Sequence, residues 1–293
     1  MGNTNRLFRP SEYLKPANLN EAVRLLQKYG DRCRAIAGGT DLLVDKDPRV
    51  EVLVDISNLG LSYIRSDSQG VRIGATTTFA ELEASPILRK NPYSVLAQAA
   101  SQMGTPQIRN MATVGGNICS AVPSADSAPA LLVLDAIVHI TGPHGERSMD
   151  IADFFRGPRQ NALMEGELVT ELELPSYPEH SQAIFLKEGR VVTADLAIVN
   201  VAVRLTLANN VCQDVRIALG AVAPIPLRAK EAEAMLKGQQ PREELLRRAA
   251  IHASQEIKPI SDIRSSAQYR RTLSRILVEE ALREVVAKSA PPK

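Results

Sequence analysis

Two glycine pairs carry the chemistry open to this chain. Gly38-Gly39-Thr40-Asp41 follows the run Cys33-Arg34-Ala35-Ile36-Ala37, and Thr113-Val114-Gly115-Gly116-Asn117 opens a small-residue stretch that ends at Asp126. Each sets a hydroxyl and a carboxylate or amide beside adjacent glycines. Adjacent glycines permit positive φ and let another group approach the main chain closely. Exposed N–H groups in such a turn form a concavity suited to a phosphate. A tight β-turn with a polar rim satisfies either pair taken alone. Neither pair is a dinucleotide fingerprint or a P-loop, because Gly38-Gly39-Thr40 is not Gly-x-Gly-x-x-Gly and no Gly-Lys-Ser/Thr follows a glycine run. Two separate glycine turns suit a long cofactor whose diphosphate is held from both sides.

Other chemistries find no residues to carry them. Cys33, Cys119 and Cys212 are scattered and form no C-x-x-C pair, so this chain alone supplies no zinc or iron–sulfur ligand set. Cys33 and Cys212 read as buried small hydrophobes. Cys119 follows the second glycine pair, where small residues are required, and its role stays open. His139, His144, His180 and His252 show no metal-ligand spacing. No Gly-x-Ser-x-Gly nucleophile setting occurs. The chemistry is then a bound cofactor's.

At 293 residues and 44% hydrophobic content the chain is long enough for two domains with buried cores. A net charge of +2, from 35 basic and 33 acidic residues, gives no global field toward nucleic acid or an anionic membrane. Aromatic residues are 4% and Trp is absent, so base-stacking platforms are scarce. The longest apolar run, Ala128 to Leu134, is far too short to span a bilayer, and no signal segment is apparent. The expectation is a soluble, cytoplasmic protein.

The elements that must position the glycine pairs follow from pattern. Asn18 to Gly30 reads as an amphipathic helix carrying Ala22, Val23, Leu25 and Leu26, with an asparagine cap and a terminal glycine. Strands are expected at Arg34–Ala37 and Val52–Ile56, and a hairpin joins Tyr63-Ile64 to Val71–Ala75. Thr78-Phe79-Ala80-Glu81 has capping-box form, and a longer helix runs from about Tyr93 to Met103. Ile137–Ile140, Arg147–Met149 and Leu168–Leu174 read as strands. Beyond a boundary across Ser176–Ser181, Ala183–Lys187, Ala197–Leu207 and Val215–Val222 read as antiparallel strands. From Arg242 the chain is mostly helical, with Leu273, Ile276, Leu277 and Leu282 on one face and a frayed tail from Ala290 to Lys293. The arginines Arg247-Arg248, Arg270-Arg271 and Arg275 alternate with glutamates and read as solvated helix faces. Without a strict βαβ repeat the fold class is α+β.

Ala37-Gly38-Gly39-Thr40-Asp41-Leu42, taken with Arg109-Asn110-Met111-Ala112-Thr113-Val114-Gly115-Gly116-Asn117, resembles the FAD-binding subunit of the molybdenum hydroxylases, the xanthine dehydrogenase and aerobic carbon monoxide dehydrogenase type. The resemblance runs over roughly the whole chain, from Phe8-Arg9-Pro10 through Glu171-Leu172-Glu173-Leu174-Pro175 to the C-terminal part. It implies a two-lobed FAD-binding domain of the vanillyl-alcohol-oxidase (PCMH) type over 1–177. A small C-terminal antiparallel sheet plus helices would follow over 178–290. It also implies roles for particular residues. Ile36, Ala37, Gly38, Gly39, Thr40, Asp41 and Leu42 would face the FAD diphosphate on one side; Ala112, Thr113, Gly115, Gly116 and Asn117 would face it on the other. Asp126 matches an acidic cofactor contact, Val169 an aliphatic one, and Lys187 a lysine at the flavin. No histidine falls in either motif, so the FAD would be non-covalent. Met103 stands where eukaryotic xanthine-oxidising members have an aromatic residue, and Ala194 replaces an acidic residue before Asp195; both departures bear on an NAD subsite.

The activity implied is electron transfer. A small subunit with two [2Fe–2S] clusters would reduce the FAD held here, and NAD or another acceptor would reoxidise it. A large molybdenum–pterin subunit would hydroxylate the substrate, in a dimer of heterotrimers. Two other classes stay open: a free-standing flavin oxidoreductase, for which Tyr177 and Arg190 are the candidate pocket residues, and an assembly protein that kept the fold and lost FAD. Three scattered cysteines exclude the extra [4Fe–4S] insertion of some relatives.

Overall fold

The computed structural model describes residues 8–191 and 195–289. The first lobe comprises β1 (Glu12–Leu14), α1 (Leu19–Tyr29), β2 (Cys33–Ile36), α2 (Leu42–Asp45) and β3 (Val52–Asp55). Its sheet is parallel, in the order β1-β3-β2. Asn18 caps α1 by accepting the Glu21 N–H at 3.0 Å, and Gly30 ends the helix at φ 52°. Ala22, Val23 and Leu26 turn one face of α1 onto Val52 and Val54.

The second lobe opens with the hairpin β4 (Ile64–Asp67) and β5 (Gly70–Gly74), then runs through five helices: α3 (Phe79–Ala84), α4 (Ser94–Ser101), α5 (Pro106–Arg109), α6 (Val114–Ser120) and α7 (Ser127–Val133). It returns through β6 (Ile137–Gly142), β7 (Gly145–Asp150), α8 (Ile151–Phe154), a two-stranded ribbon of β8 (Phe155–Gly157) with β9 (Gln160–Asn161), and β10 (Leu168–Pro175). Here the sheet is antiparallel, in the order β4-β5-β10-β6-β7. The predicted capping box at Thr78 and Glu81 forms with both of its hydrogen bonds. The helix expected to reach Met103 stops at Ser101, three residues before the left-handed turn at Gly104.

The third part holds β11 (Ser181–Glu188), β12 (Val199–Ala208), β13 (Val211–Gly220) and β14 (Leu227–Arg228), an antiparallel sheet in that order. Helices α9 (Lys230–Leu236), α10 (Glu243–Glu256) and α11 (Ala267–Ser289) cover one face, over a core that includes Val201, Val203, Ile217 and Leu282. The other face gives Ala183, Phe185, Ala202 and Ala218 to the core of the second lobe. Fully burying a side chain such as Phe185 contributes about 2–3 kcal/mol, so the sheet is held on both sides. No helix among the described residues is long and apolar enough to cross a membrane.

Two expectations for α11 fail. Arg270 is not on a solvated face: it is 2% exposed, and its guanidinium donates to the carbonyls of Ile198 and Ala221 and pairs with Asp262 at 2.9 Å. Local alternation with glutamate cannot reveal partners that lie some 50 and 70 residues away in the chain. Ile276, expected on the apolar face, is 45% exposed. The frayed tail expected from Ala290 lies outside the described residues.

Candidate functional site

Strand β2 delivers the first glycine pair, and Gly39 turns the chain at φ +67° into α2. Among the described residues, the N–H groups of Gly38, Gly39, Thr40 and Asp41 donate to no protein acceptor. These four consecutive donors sit on half-buried or exposed backbone. Ile36 is buried against Val50 and Leu53 with Leu42 beside it, which anchors both ends of the turn, and Ala37 lies half-buried between.

The second motif is not the loop its glycines suggest. Residues 114–120 form α6, with Thr113 at the N-cap accepting the Gly116 N–H at 3.2 Å. Neither Gly115 nor Gly116 has positive φ. Glycine is needed at 115 for closeness: a Cβ there would lie 2.6 Å from the Ala75 carbonyl oxygen. The segment is laced to the end of β5. Val114 N–H donates to Thr77 at 3.0 Å, Gly115 N–H to Ala75 at 2.9 Å, and Phe79 N–H to Ala112 at 3.0 Å. Asn117 N–H donates to the Thr113 carbonyl at 2.9 Å. The run of free donors therefore belongs to the first motif, and the second, where among its N–H groups Thr113 alone has no acceptor among the described residues, is a braced wall beside it.

The two motifs touch. A Cβ on Gly38 would fall 1.7 Å from the carbonyl oxygen of Met111 and 3.1 Å from Ala112 N. Residues 73 and 74 positions apart in sequence thus share one backbone junction. Leu43, Val44, Ile108 and Met111 remain exposed on the two motifs' flanks.

Asp126, Lys187 and Val169 come from three further elements. Asn117 Oδ1 accepts from Ser127 Oγ at 2.6 Å, which ties α6 to the start of α7. Asp126, the residue before α7, sends Oδ2 to Lys187 Nζ at 2.6 Å and Oδ1 to Asn200 Nδ2 at 2.9 Å. Lys187 also donates to the Gln102 carbonyl at 2.9 Å. The two charged side chains are only 7% and 8% exposed. Burial pushes the Asp126 carboxyl above its ordinary value, while Lys187 and Asn200 pull it back. Two residues expected to meet a cofactor separately are therefore partners of each other. Val169 is buried in the same core as Val114 and Ile118, next to a bulge in β10 whose Thr170 carbonyl accepts the Ala75 N–H.

The remaining candidates fall into structural roles. Tyr177 donates its hydroxyl to the Leu134 carbonyl, and its ring packs under the Arg204 guanidinium and edge-on to Tyr93, so it is not a free pocket group. Met103 is half-buried, with its carbonyl accepting from Arg109 at 3.2 Å. Asp195 accepts the Arg190 and Val191 N–H groups, and Ala194 lies outside the described residues. Cys119 is half-buried, and burial pushes its thiol up to about 12. His139, which shows no metal-ligand spacing in sequence, does meet Glu171 and Glu173 in space, but Arg72 already pairs with both carboxylates at 2.7 and 3.1 Å. Sequence reasoning missed Asn200 and the Gln102 carbonyl. Asn200 had a signal: a lone amide inside Ile198-Val199-Asn200-Val201 must find a buried partner.

Free donors beside a glycine junction, in a two-lobed α+β frame, form a concavity suited to a diphosphate. Residues 8–177 match the family described as the FAD binding domain in molybdopterin dehydrogenase, and 185–285 match the CO dehydrogenase flavoprotein C-terminal domain. The chain belongs to this family, the FAD-binding subunits of molybdenum hydroxylases. It is 33% identical over 277 residues to the glyceraldehyde dehydrogenase medium chain of Sulfolobus acidocaldarius, covering 93% of this chain and 97% of that one. It is 32% identical to the putative xanthine dehydrogenase FAD-binding subunit of Escherichia coli K12, covering 96% and 98%. Among solved structures, a carbon monoxide dehydrogenase from Hydrogenophaga pseudoflava superposes with TM-score 0.92 at 33% identity, covering 96% and 99%.

Proposed function

We propose that this chain takes electrons from [2Fe–2S] clusters of a small partner subunit onto non-covalent FAD and passes them to NAD or another acceptor. A large molybdenum–pterin subunit would oxidise the substrate, in a dimer of heterotrimers. We place the functional division near residue 177, with residues 1–177 holding the cofactor and 178–290 closing it. The observation that carries the reading is the run of free N–H groups from Gly38 to Asp41, packed on Met111 and Ala112. The residues present fit the cofactor, since backbone donors with no protein acceptor suit a diphosphate and a Cβ at Gly38 would fill the junction.

When bound, FAD supplies both single-electron and hydride chemistry, and the protein supplies binding, orientation and electrostatics. Gly38 to Asp41 would hold the diphosphate, with Thr113, Gly115, Gly116 and Asn117 bracing them and Val169 supplying apolar contact. Lys187 would lie at the flavin edge. Its pairing with Asp126 changes what it offers there: a neutral ion pair presents a dipole, where a lone lysine would present a full positive charge. Asp126 therefore moderates the stabilisation Lys187 would give an anionic reduced ring.

The test is a visible spectrum of the purified chain before and after heat release of cofactor. A two-banded flavin spectrum, with FAD recovered in the supernatant, is expected. A colourless chain that takes up no added FAD refutes the reading. Bleaching by NADH, set against other donors and acceptors, then decides the acceptor.

A further inference from the structure

We propose that Asn200 is a positioning residue for the flavin site: it fixes the Asp126 carboxylate so that one oxygen alone serves Lys187. This rests on the reading that Asp126 and Lys187 adjoin FAD. Asn200 is fully buried in β12 between Val199 and Val201, where an aliphatic side chain would ordinarily pack. Its Nδ2 gives Asp126 Oδ1 a hydrogen bond at 2.9 Å, while Lys187 Nζ takes Oδ2 at 2.6 Å. Each carboxylate oxygen thus has its own donor, and the two donors fix the rotation of the carboxylate about its Cβ–Cγ bond.

The amide is present for that bond. Its Oδ1 is buried without a hydrogen-bond partner, which is destabilising, so the residue is not explained by stability alone. Space for it is made across the sheet, where a Cβ on Gly220 would fall 2.2 Å from Asn200 Oδ1. Around Asp126, β11 supplies Lys187 and β12 supplies Asn200; Ser127 and Asn117, from α7 and α6, bond to each other. Among the described residues, Lys187 is the charged side chain paired with Asp126. Without the amide, Asp126 can rotate, share both oxygens with Lys187, or take up a proton and leave Lys187 unpaired.

The experiment titrates FAD into the full-length chain by flavin fluorescence across pH, for the wild type and for Asn200→Leu, Asn200→Asp, Gly220→Ala and Lys187→Met. Asn200→Leu removes the donor at similar volume and should weaken FAD binding roughly tenfold, the scale of one hydrogen bond to a charged group. Asn200→Asp should bind nearly as well as wild type at low pH, where one of the two facing carboxyls is protonated and donates. Its affinity should fall as pH rises, because two adjacent carboxylates resist ionising together. Gly220→Ala displaces the amide while keeping it and should reproduce part of the loss, which keeps the test open if Asn200→Leu does not fold. Wild-type affinity in Asn200→Leu, or no pH-dependent rescue in Asn200→Asp, overturns the proposal. If Lys187→Met leaves FAD binding unchanged, the site reading beneath it falls and the proposal falls with it. A Lys187→Met loss without an Asn200→Leu loss removes the Asn200 role alone.

Discussion

Replacing Gly38 by alanine tests the junction of the two motifs directly. The new Cβ would sit 1.7 Å from the Met111 carbonyl oxygen, whereas real Cβ contacts stay beyond 3.0 Å. The backbones must therefore separate by roughly 1.3 Å, the difference between those two distances. The obstacle is main chain, and it is braced: Ala112 N–H donates to Ile108 at 2.7 Å, and Phe79 N–H donates to the Ala112 carbonyl at 3.0 Å. Overpacking of this kind costs about 1–3 kcal/mol, and an unyielding backbone puts it at the upper end, ~3 kcal/mol. If the displacement falls on the cofactor-binding arrangement, that energy corresponds to a loss of affinity of about a hundredfold. FAD titration of the folded variant, beside a urea midpoint, separates the two effects. Gly60→Ala is the control for an added Cβ that meets no obstacle: φ is +73° there, unlike at Gly38, and nothing lies within 4 Å of the added atom. It should cost about 1 kcal/mol of stability, the ordinary penalty for an L-residue in that region, and leave FAD affinity unchanged. Wild-type FAD affinity and an unchanged urea midpoint in Gly38→Ala would refute the junction argument.

Three further outcomes follow from buried charges and thiols. Arg270→Met should destabilise the chain by about 3–5 kcal/mol in urea, because it leaves the Ile198 and Ala221 carbonyls without their buried donor and takes one of two arginines from Asp262, whereas a solvated arginine would cost under about 1 kcal/mol. Burial would raise the Asp262 carboxyl, but the N–H groups of Arg264 and Ser265 and the Arg270 and Arg264 side chains hold it below the usual carboxylate range. The stability it contributes is present above its unfolded pKa and is lost as pH falls through the lower folded value, so Arg270→Met should move acid unfolding to higher pH. Asp135 accepts from Arg204, Arg216 and Arg228, on β12, β13 and β14; Asp135→Ala should lower the urea midpoint, and added salt should restore part of the loss by screening the exposed fraction of the repulsion. Burial raises the thiols of Cys33 and Cys212 to about 11 and of Cys119 to about 12, so a disulfide reagent near neutral pH should label none of them until denaturant is added; rapid native labelling of Cys119 would contradict its burial.

The amino-acid sequence determined the local elements by itself, because their causes are local. Asn18 and Gly30 bound α1, Thr78 and Glu81 start α3, and period-two apolar runs mark β10, β12 and β13. It also marked both glycine motifs, since two such pairs in this order are specific. What it could not decide was why each glycine is there. Gly39 is required by its own φ, a property of one residue. Gly38 and Gly115 are required by carbonyls of Met111 and Ala75, contacts that exist only once separate segments pack. The same limit hid the Asp126–Lys187–Asn200 group, gathered from the start of α7 and from two strands of the last sheet. It also hid the burial of Arg270, whose partners lie on other elements. Periodicity reports which face of an element is apolar. Which polar group waits opposite a buried charge is set by chain crossing, and only the tertiary structure fixes it.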